Sequence, residues 1–240
     1  MEKDFHMIPV KDMKEARWIA ESLEKPWSRS KNANYAAAVI PRGFAAYARI
    51  FHPAYLRNED REVTWSEVVK HTGRMPHSQM QWHTIANFKN SDTNFNGLIE
   101  PYTGRLPERQ AKALTEILCK YTNTPGNCYF AIWDGWNFPN MEKLRNHTVS
   151  FQLQDRNYYL MKGDIFAAVN DISSFSLHAP GIWWPEDRTW CVATEVDMMW
   201  TYVGGTECCI DEILMENRLE AFLATPDDRA DVYGDEINTG

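Results

Sequence analysis

The chain has 240 residues and a mass of 27.9 kDa, and its 44% hydrophobic and 24% charged residues exclude a disordered, fibrous or repetitive protein. Its 33 acidic against 25 basic residues give a net charge of -8, which repels a nucleic-acid backbone and argues against a nucleic-acid-binding protein. No basic and apolar leader begins the sequence and no run of about 18 apolar residues occurs, so a cytoplasmic protein without membrane segments is predicted.

The N-terminal part of the chain is predicted to form two helices and a pair of strands. Asp12–Glu15 has the form of a capping box, and the apolar residues after it predict a helix from about 13 to 24. Residues 35–51 hold two apolar runs around a Pro-Arg-Gly turn, which predicts two short strands. Thr64–Glu67 is a second capping box, so a short helix is predicted to begin there and to end at Gly73, which tolerates a positive φ.

A polar stretch and an amphipathic helix follow. Residues 73–104 lack hydrophobic periodicity and predict a long surface loop with a short helical patch. Pro107 stands at the first position of a predicted helix that ends before Asn123. The apolar stripe of this helix consists of Ala111, Leu114, Leu118 and Tyr121.

The second half of the chain is predicted to be mainly β-sheet. Residues 128–134 form a nearly continuous apolar run, and residues 149–161 predict a hairpin. Residues 190–197 predict a further strand, after which a Gly204-Gly205 turn leads to a helix N-cap at Thr206. Strands joined by hairpins, with helices before and after them, predict an α+β fold with a mainly antiparallel sheet covered by helices.

One domain is predicted to cover residues 1–225. Residues 226–240 are acidic and poor in apolar side chains, so they predict a loose C-terminal tail. An acidic interaction tail is the alternative interpretation.

Three carboxylates are candidate catalytic residues. Glu195 and Asp197 are two apart on a predicted strand, so both point to one face with their backbones roughly 6 to 7 Å apart. Such a pair, with tryptophans nearby, fits the acid and base of glycoside hydrolysis, but ion pairs with Arg188 or a lysine are the alternative. Asp134 lies at the end of a buried strand, where it is either functional or part of an Asp-Gly turn.

A cluster of tryptophans is the candidate binding site. Trp183, Trp184 and Trp190 stand close in sequence to Asp187 and Arg188. The cluster is either a packed corner of the core or an exposed recognition patch, because tryptophan and arginine dominate binding hot spots.

No metal or cofactor site is predicted. His71, His77 and His83 are each six residues apart, a spacing that matches no short zinc-ligand pattern. The adjacent Cys208 and Cys209 lie in the first turn of a predicted helix, where the helix dipole lowers a thiol pKa, but burial of the thiols is the alternative. All five cysteines lack paired CxxC spacing, which favours reduced thiols.

Two segments carry resemblances to known families. The segment Trp183–Asp197, with Tyr202–Gly205 after it, resembles the C-terminal part of a widespread group of uncharacterised bacterial proteins. The resemblance to this group extends to Pro41–Pro53 and so covers most of the chain. The pattern Trp190-x-x-Ala-x-Glu-x-Asp197 followed by a turn is similar to the SUKH superfamily of α+β proteins. That resemblance implies a role in toxin immunity.

The sequence therefore predicts a non-catalytic protein-binding or regulatory protein, and the SUKH resemblance implies the toxin-immunity type. An acidic chain complements a basic partner, so a basic protein partner is expected. The alternative function is a glycan-directed hydrolase that uses the carboxylate pair.

Overall fold

The structure is a computed structural model, and it describes residues 7–86, 95–136, 141–169 and 180–239. Its central element is a large antiparallel sheet that helices cover, so the predicted α+β fold is confirmed. Residues 87–94 of the predicted surface loop lie outside the described residues, as do the chain ends at residues 1–6 and 240.

The described strands are short, and most belong to the large sheet. In chain order they are β1 (Met7–Pro9), β2 (Ala46–Phe51), β3 (Ala54–Leu56), β4 (Arg61–Val63), β5 (Leu98–Ile99), β6 (Cys128–Trp133), β7 (Ser150–Leu153), β8 (Arg156–Gly163), β9 (Ile182–Pro185), β10 (Cys191–Ala193), β11 (Trp200–Gly205) and β12 (Glu220–Ala224).

The described α-helices are accompanied by four short 3-10 helices. The α-helices are α1 (Arg17–Ser22), α2 (Trp65–Thr72), α3 (Trp82–Ile85), α4 (Glu108–Leu118), α5 (Met141–His147) and α6 (Glu207–Met215). The 3-10 helices are Met13–Ala16, Ala36–Ala38, Arg57–Glu59 and Cys119–Tyr121.

The large sheet has nine strands in the order β1-β8-β6-β9-β10-β11-β2-β12, and β7 pairs with the outer part of β8. All of its pairings are antiparallel. A separate small sheet has the order β4-β3-β5. The inner strands are apolar on both faces, since Cys191, Val192 and Ala193 of β10 are all fully buried.

Each face of the large sheet carries its own layer of core residues. On one face, Leu114 of α4 and Ile210 of α6 pack in a cluster with Val192 of β10. On the other face, Ile19 of α1 and Trp65 of α2 pack in a second cluster that contains Trp184, Tyr202 and other sheet residues. Burial on both faces explains why the strands read as continuous apolar runs rather than as a strict alternation.

The ends of α2 are capped as the sequence predicts. Thr64 accepts a hydrogen bond from the backbone N–H of Glu67, whose side chain accepts one from the Thr64 N–H, and Gly73 ends the helix at a φ of 70°. A second carboxylate reaches the same helix end from β12: the Glu220 side chain accepts hydrogen bonds from the N–H groups of Trp65 and Ser66 at 2.6 Å. These bonds satisfy donors that a helix N-terminus leaves unpaired.

Three local predictions were wrong. Residues 36–38 form a 3-10 helix rather than a strand, because Ala36 and Ala37 donate hydrogen bonds to Asp228 and Pro226 instead of joining the sheet. The predicted strand at 190–197 is limited to β10. Gly204 and Gly205 belong to β11 rather than to a turn, and Thr206 caps α6 directly as predicted.

The C-terminal segment, defined as residues 226–239, lies against the rest of the domain, so the prediction of a loose tail was wrong. Its backbone is tied to residues 34–37, since Ala230 N–H donates to the Asn34 carbonyl at 2.9 Å. Asp235 is 2% exposed and Asn238 is 4% exposed. Acidic composition did not reveal this packing, because each carboxylate finds donors that only the folded chain supplies.

Candidate functional site

A cavity of about 540 Å³ opens on the face of the sheet that α1, α2 and α3 cover. Its walls come from parts of the chain that are far apart in sequence. They are the turn after α1 at 26–27, the start of α3 at 81–83, the β7–β8 turn at 154–156, the β10–β11 connection at 195–200 and the C-terminal segment at 230–232.

The β10–β11 connection places Glu195 and Asp197 in this cavity. The two residues lie in a turn, not on a strand as predicted, in which Met198 N–H donates to the Glu195 carbonyl at 3.0 Å. The Glu195 side chain also accepts a hydrogen bond from the Asp197 N–H at 2.8 Å. Gly104 packs against this turn and has a φ of 72°. A Cβ at this position would lie 2.6 Å from the Val196 carbonyl oxygen, which is too close for any residue other than glycine.

Arg156 joins the two carboxylates. Its Nη2 lies 2.8 Å from Glu195 Oε1 and 2.7 Å from Asp197 Oδ2, while its guanidinium lies over the Trp133 ring at 5.3 Å. Burial raises the pKa of Glu195, although the Asp197 N–H and Arg156 oppose this shift. The Asp197 side chain is 80% exposed, so the two carboxylates have different surroundings.

The cavity has an excess of negative charge. Carboxylates from Glu100, Asp155, Glu195, Asp197 and Asp231 line it together with Arg156 and His83, and no lysine. Arg156 pairs with both Glu195 and Asp197, and Arg229 binds Asp231 at 2.8 Å. Glu100 and Asp155 are exposed and form no ion pair with any residue that the structure describes.

Three tryptophan side chains also line the cavity, from Trp27, Trp82 and Trp200. Trp27 is 49% exposed, whereas Trp82 and Trp200 are almost buried. The Arg49 guanidinium packs over the Trp200 ring, 3.8 Å from the ring centre. The Trp200 indole N–H is buried behind the cavity surface, near the equally buried Tyr202 hydroxyl.

The predicted binding patch is not a surface. Trp183, Trp184 and Trp190 are each at most 2% exposed, because adjacent strand residues point to opposite faces of a sheet that is buried on both sides. Trp183 packs against Trp190 with ring centres 5.3 Å apart, and Trp184 packs against Trp18 at 5.7 Å. The exposed-patch hypothesis was therefore wrong for these rings, and core packing is correct.

The two charged members of that patch have structural contacts. Asp187 accepts hydrogen bonds from the Asn123 N–H at 2.7 Å and from the Thr122 hydroxyl at 2.9 Å, which holds the turn after α4. Arg188 is half-exposed, lies 5.2 Å from the centre of the Trp18 ring and pairs with Glu15 at 3.7 Å.

Asp134 does not join the other two candidate carboxylates. Its Oδ1 accepts hydrogen bonds from Arg145 and from the Tyr159 hydroxyl, each at 3.1 Å, and it is not part of the cavity wall. The predicted set of three catalytic carboxylates is therefore reduced by the geometry to the pair at Glu195 and Asp197.

The histidines and cysteines lie apart from one another. His77 binds Asp235 at 2.9 Å, His71 packs against Phe95, and His83 lines the cavity. No group of three or more potential metal ligands occurs among the described side chains. Cys208 is exposed, but burial raises the pKa of Cys209 to about 12, opposite to the shift that the helix dipole would cause. All five cysteines are free.

Several cavity residues were not singled out from the sequence: Trp27, Trp82, Glu100, Asp155 and Arg156. Only Trp27 has a local sequence signal, because it follows Pro26 and a turn is therefore expected there after the helix. The others lie in ordinary polar or helical contexts. Their common function as cavity walls depends on contacts between distant segments.

Comparisons with protein-family models, curated proteins and solved structures found no match to this chain. The resemblance of residues 190–197 to the SUKH superfamily therefore stays a prediction. Across the described ranges, no helix is long and apolar enough to cross a membrane.

Proposed function

We propose that this protein binds a basic segment of a partner protein in the cavity. The observation that supports the proposal is the combination of indole rings with carboxylates that have no counter-ion among the described residues. Glu100 and Asp155 line the wall without a cationic partner in the described chain, and Trp27 presents an exposed ring to the same cavity. Aromatic faces and carboxylates both attract cations.

The charge of the whole chain favours the same class of partner. The net charge of -8 adds a long-range attraction that raises the rate of encounter with a basic partner. A toxin-immunity protein is a binding protein of this kind, so the role implied by the SUKH resemblance is compatible with the proposal.

Removing the two uncompensated charges is expected to weaken this binding. The probe is an acetylated and amidated peptide of sequence Gly-Arg-Gly-Lys-Gly, titrated into the protein while the indole N–H signals are followed by NMR. The Glu100→Gln/Asp155→Asn double variant should bind it about fivefold more weakly at low salt, and salt should weaken binding to the wild type. The matched control is Glu207→Gln/Asp211→Asn, which removes the same charges from exposed positions on α6.

Binding that is equal in both double variants, or no binding of the basic peptide to the wild type, would contradict the proposal. A peptide in which glutamate replaces both basic residues serves as the negative control. It should produce no shift of the indole signals.

A hydrolase is the second candidate function, because Glu195 and Asp197 do share one cavity wall. A raised pKa at Glu195 is what a general acid requires, although the Arg156 contact at 2.8 Å favours its ionised form. This candidate predicts turnover of aryl glycosides between pH 4 and 7 that falls at least ~100-fold in Glu195→Gln. Absence of turnover, or turnover that the variant retains, would exclude Glu195 as the acid; the Tm of the variant reports whether its fold is intact.

A further inference from the structure

Trp27 has an unusual backbone conformation for its residue type. Its φ of 60° lies in the left-handed region, which costs bulky residues roughly 1 to 2 kcal/mol. Pro26 and Trp27 form the centre of a turn that Ser28 N–H closes on the Lys25 carbonyl at 3.2 Å. Glycine is the residue that ordinarily occupies the third position of such a turn when its φ is positive.

The surrounding structure holds this conformation in place. The Trp27 N–H contacts the Asn34 side chain at 3.4 Å, and the Asn34 N–H donates to Asp231 at 2.9 Å. Gln154, in the β7–β8 turn, also has a positive φ, of 55°, and its side chain donates a hydrogen bond to the Glu24 carbonyl at 3.4 Å. Two of the four non-glycine residues with a positive φ within the described chain therefore line one cavity.

The ring that this turn presents lies outside the hydrophobic core. Trp27 is 49% exposed, in contrast to the other two tryptophans of the cavity, and its ring packs in neither core cluster. Strained and exposed residues of this kind are typical of binding sites. The position of the ring at the mouth of an acidic cavity points to a cation as its ligand.

The chain itself shows which cation fits such surroundings. Arg156 is held in the same cavity by stacking over Trp133 and by the two carboxylates of Glu195 and Asp197. Elsewhere, Arg29 lies over the Tyr35 ring and pairs with Glu24. The ammonium of Lys162 also lies over a ring, that of Tyr129, and pairs with Glu186 at 3.4 Å. A guanidinium differs in that its flat face covers the ring while its edge offers a carboxylate two parallel N–H donors, so it gains more from a ring beside a carboxylate.

We infer that Trp27 is the residue that selects arginine, by stacking on the guanidinium of a partner side chain whose edge binds Asp155. The inference rests on the proposed function and adds the identity of the recognised side chain to it. Asp155 is the acceptor because the side chain of its neighbour Gln154 reaches the Glu24 carbonyl, close in sequence to Trp27, and because the exposed Asp155 carboxylate has no ion-pair partner within the described residues. Lysine, which lacks the planar group, binds the same cavity more weakly.

The experiment compares three capped peptides, Gly-Arg-Gly-Arg-Gly, Gly-Lys-Gly-Lys-Gly and the isosteric citrulline peptide, by isothermal titration and by NMR of the Trp27 indole signal. The arginine peptide should bind about fivefold more tightly than the lysine peptide, and the uncharged citrulline peptide should not bind measurably. Trp27→Gly should reduce arginine binding to the level of lysine binding. Its Tm should equal or exceed that of the wild type, because glycine accepts the positive φ without strain.

Tyr102→Ala is the matched control, since Tyr102 is 52% exposed and lies outside the cavity wall. This variant should keep the full preference for arginine. Equal affinity for both basic peptides, together with wild-type binding by Trp27→Gly, would overturn the inference and leave the proposed function standing. Failure of both basic peptides to bind would overturn the two together.

Discussion

Replacing Asp235 with alanine is expected to lower the free energy of unfolding by about 3 kcal/mol and to detach the C-terminal segment. The Asp235 carboxylate is buried and accepts hydrogen bonds from the Thr84 hydroxyl at 2.5 Å, from His77 at 2.9 Å and from the Asn238 N–H at 2.9 Å. Alanine would leave these buried donors without an acceptor, and each unsatisfied donor costs about 1 to 3 kcal/mol.

The electrostatics of Asp235 agree with this role. Burial alone would raise its pKa, but the hydrogen bonds from Thr84, Asn238 and Gln81 prevail and hold the pKa of this carboxyl well below its usual range. A carboxyl whose folded pKa is depressed stabilises the fold above its unfolded pKa, and this stabilisation is lost as the pH falls through the folded value.

Chemical denaturation followed by tryptophan fluorescence measures the loss, and hydrogen exchange at residues 226–239 measures the detachment. Asp227→Ala is the control, because Asp227 lies in the same segment but its side chain is 63% exposed and binds arginines only at the surface. Such surface ion pairs contribute about 0 to 1 kcal/mol. An Asp235→Ala variant as stable as Asp227→Ala would show that the segment does not depend on this carboxylate.

The same variant is informative for the cavity. Ala230, Asp231 and Val232 form one of its walls, so detachment of the C-terminal segment removes that wall. Asp231 also supports Asn34, which contacts the strained turn at Trp27. We therefore expect the loss of stability in Asp235→Ala to be accompanied by a loss of peptide binding.

Lowering the pH from about 6.5 to 4 is expected to remove about 3 kcal/mol of stability through the protonation of His52 alone. His52 is fully buried between β2 and β3, with Nδ1 2.7 Å from the Tyr102 carbonyl and Nε2 2.9 Å from the Thr201 hydroxyl. Because Nδ1 donates to a carbonyl, Nε2 accepts from Thr201, which fits the neutral imidazole.

The sign follows from where the proton binds. Burial lowers the pKa of His52 from 6.5 to about 4. Between these values the unfolded chain binds a proton that the folded chain does not, so stability rises with pH across this window and falls on acidification. Each pH unit within the window changes the free energy of unfolding by about 1.4 kcal/mol.

The measurement is the free energy of unfolding by urea at several pH values between 4.5 and 7. His52→Gln keeps a donor and an acceptor in the side chain but cannot titrate. Its free energy of unfolding should therefore change less with pH than that of the wild type, even if the variant is less stable at every pH. His83→Gln is the control, because His83 is exposed and its removal should leave the slope unchanged. Parallel curves for wild type and His52→Gln would show that another group causes the acid sensitivity.

The amino-acid sequence by itself determined the local elements whose signals are contained in neighbouring residues. The capping box at Thr64–Glu67 with Gly73 at the other end defines α2, the stripe from Ala111 to Leu118 defines α4, and Thr206 defines the start of α6. In each case the hydrogen-bond donors and acceptors lie within a few residues of one another, so no distant contact is needed to form the element.

Other short segments were decided by contacts outside them. Residues 36–38 are apolar enough for a strand but become a 3-10 helix, since the C-terminal segment supplies their hydrogen-bond acceptors. The spacing of two residues correctly predicted that Glu195 and Asp197 lie close together. It did not predict that they lie in a turn, or that Arg156 binds both.

Only the tertiary structure decided which tryptophans are exposed and where a ligand can bind. Trp183 and Trp184 are adjacent in sequence and both are buried, because a central strand of this sheet has a helical layer on each face. Trp27 is exposed, because its turn borders a cavity. The residues that line this cavity come from segments as distant in sequence as Pro26 and Val232. Burial is a property of the packed layers, and the residues that pack against a side chain are specified by the whole fold rather than by its neighbours in sequence.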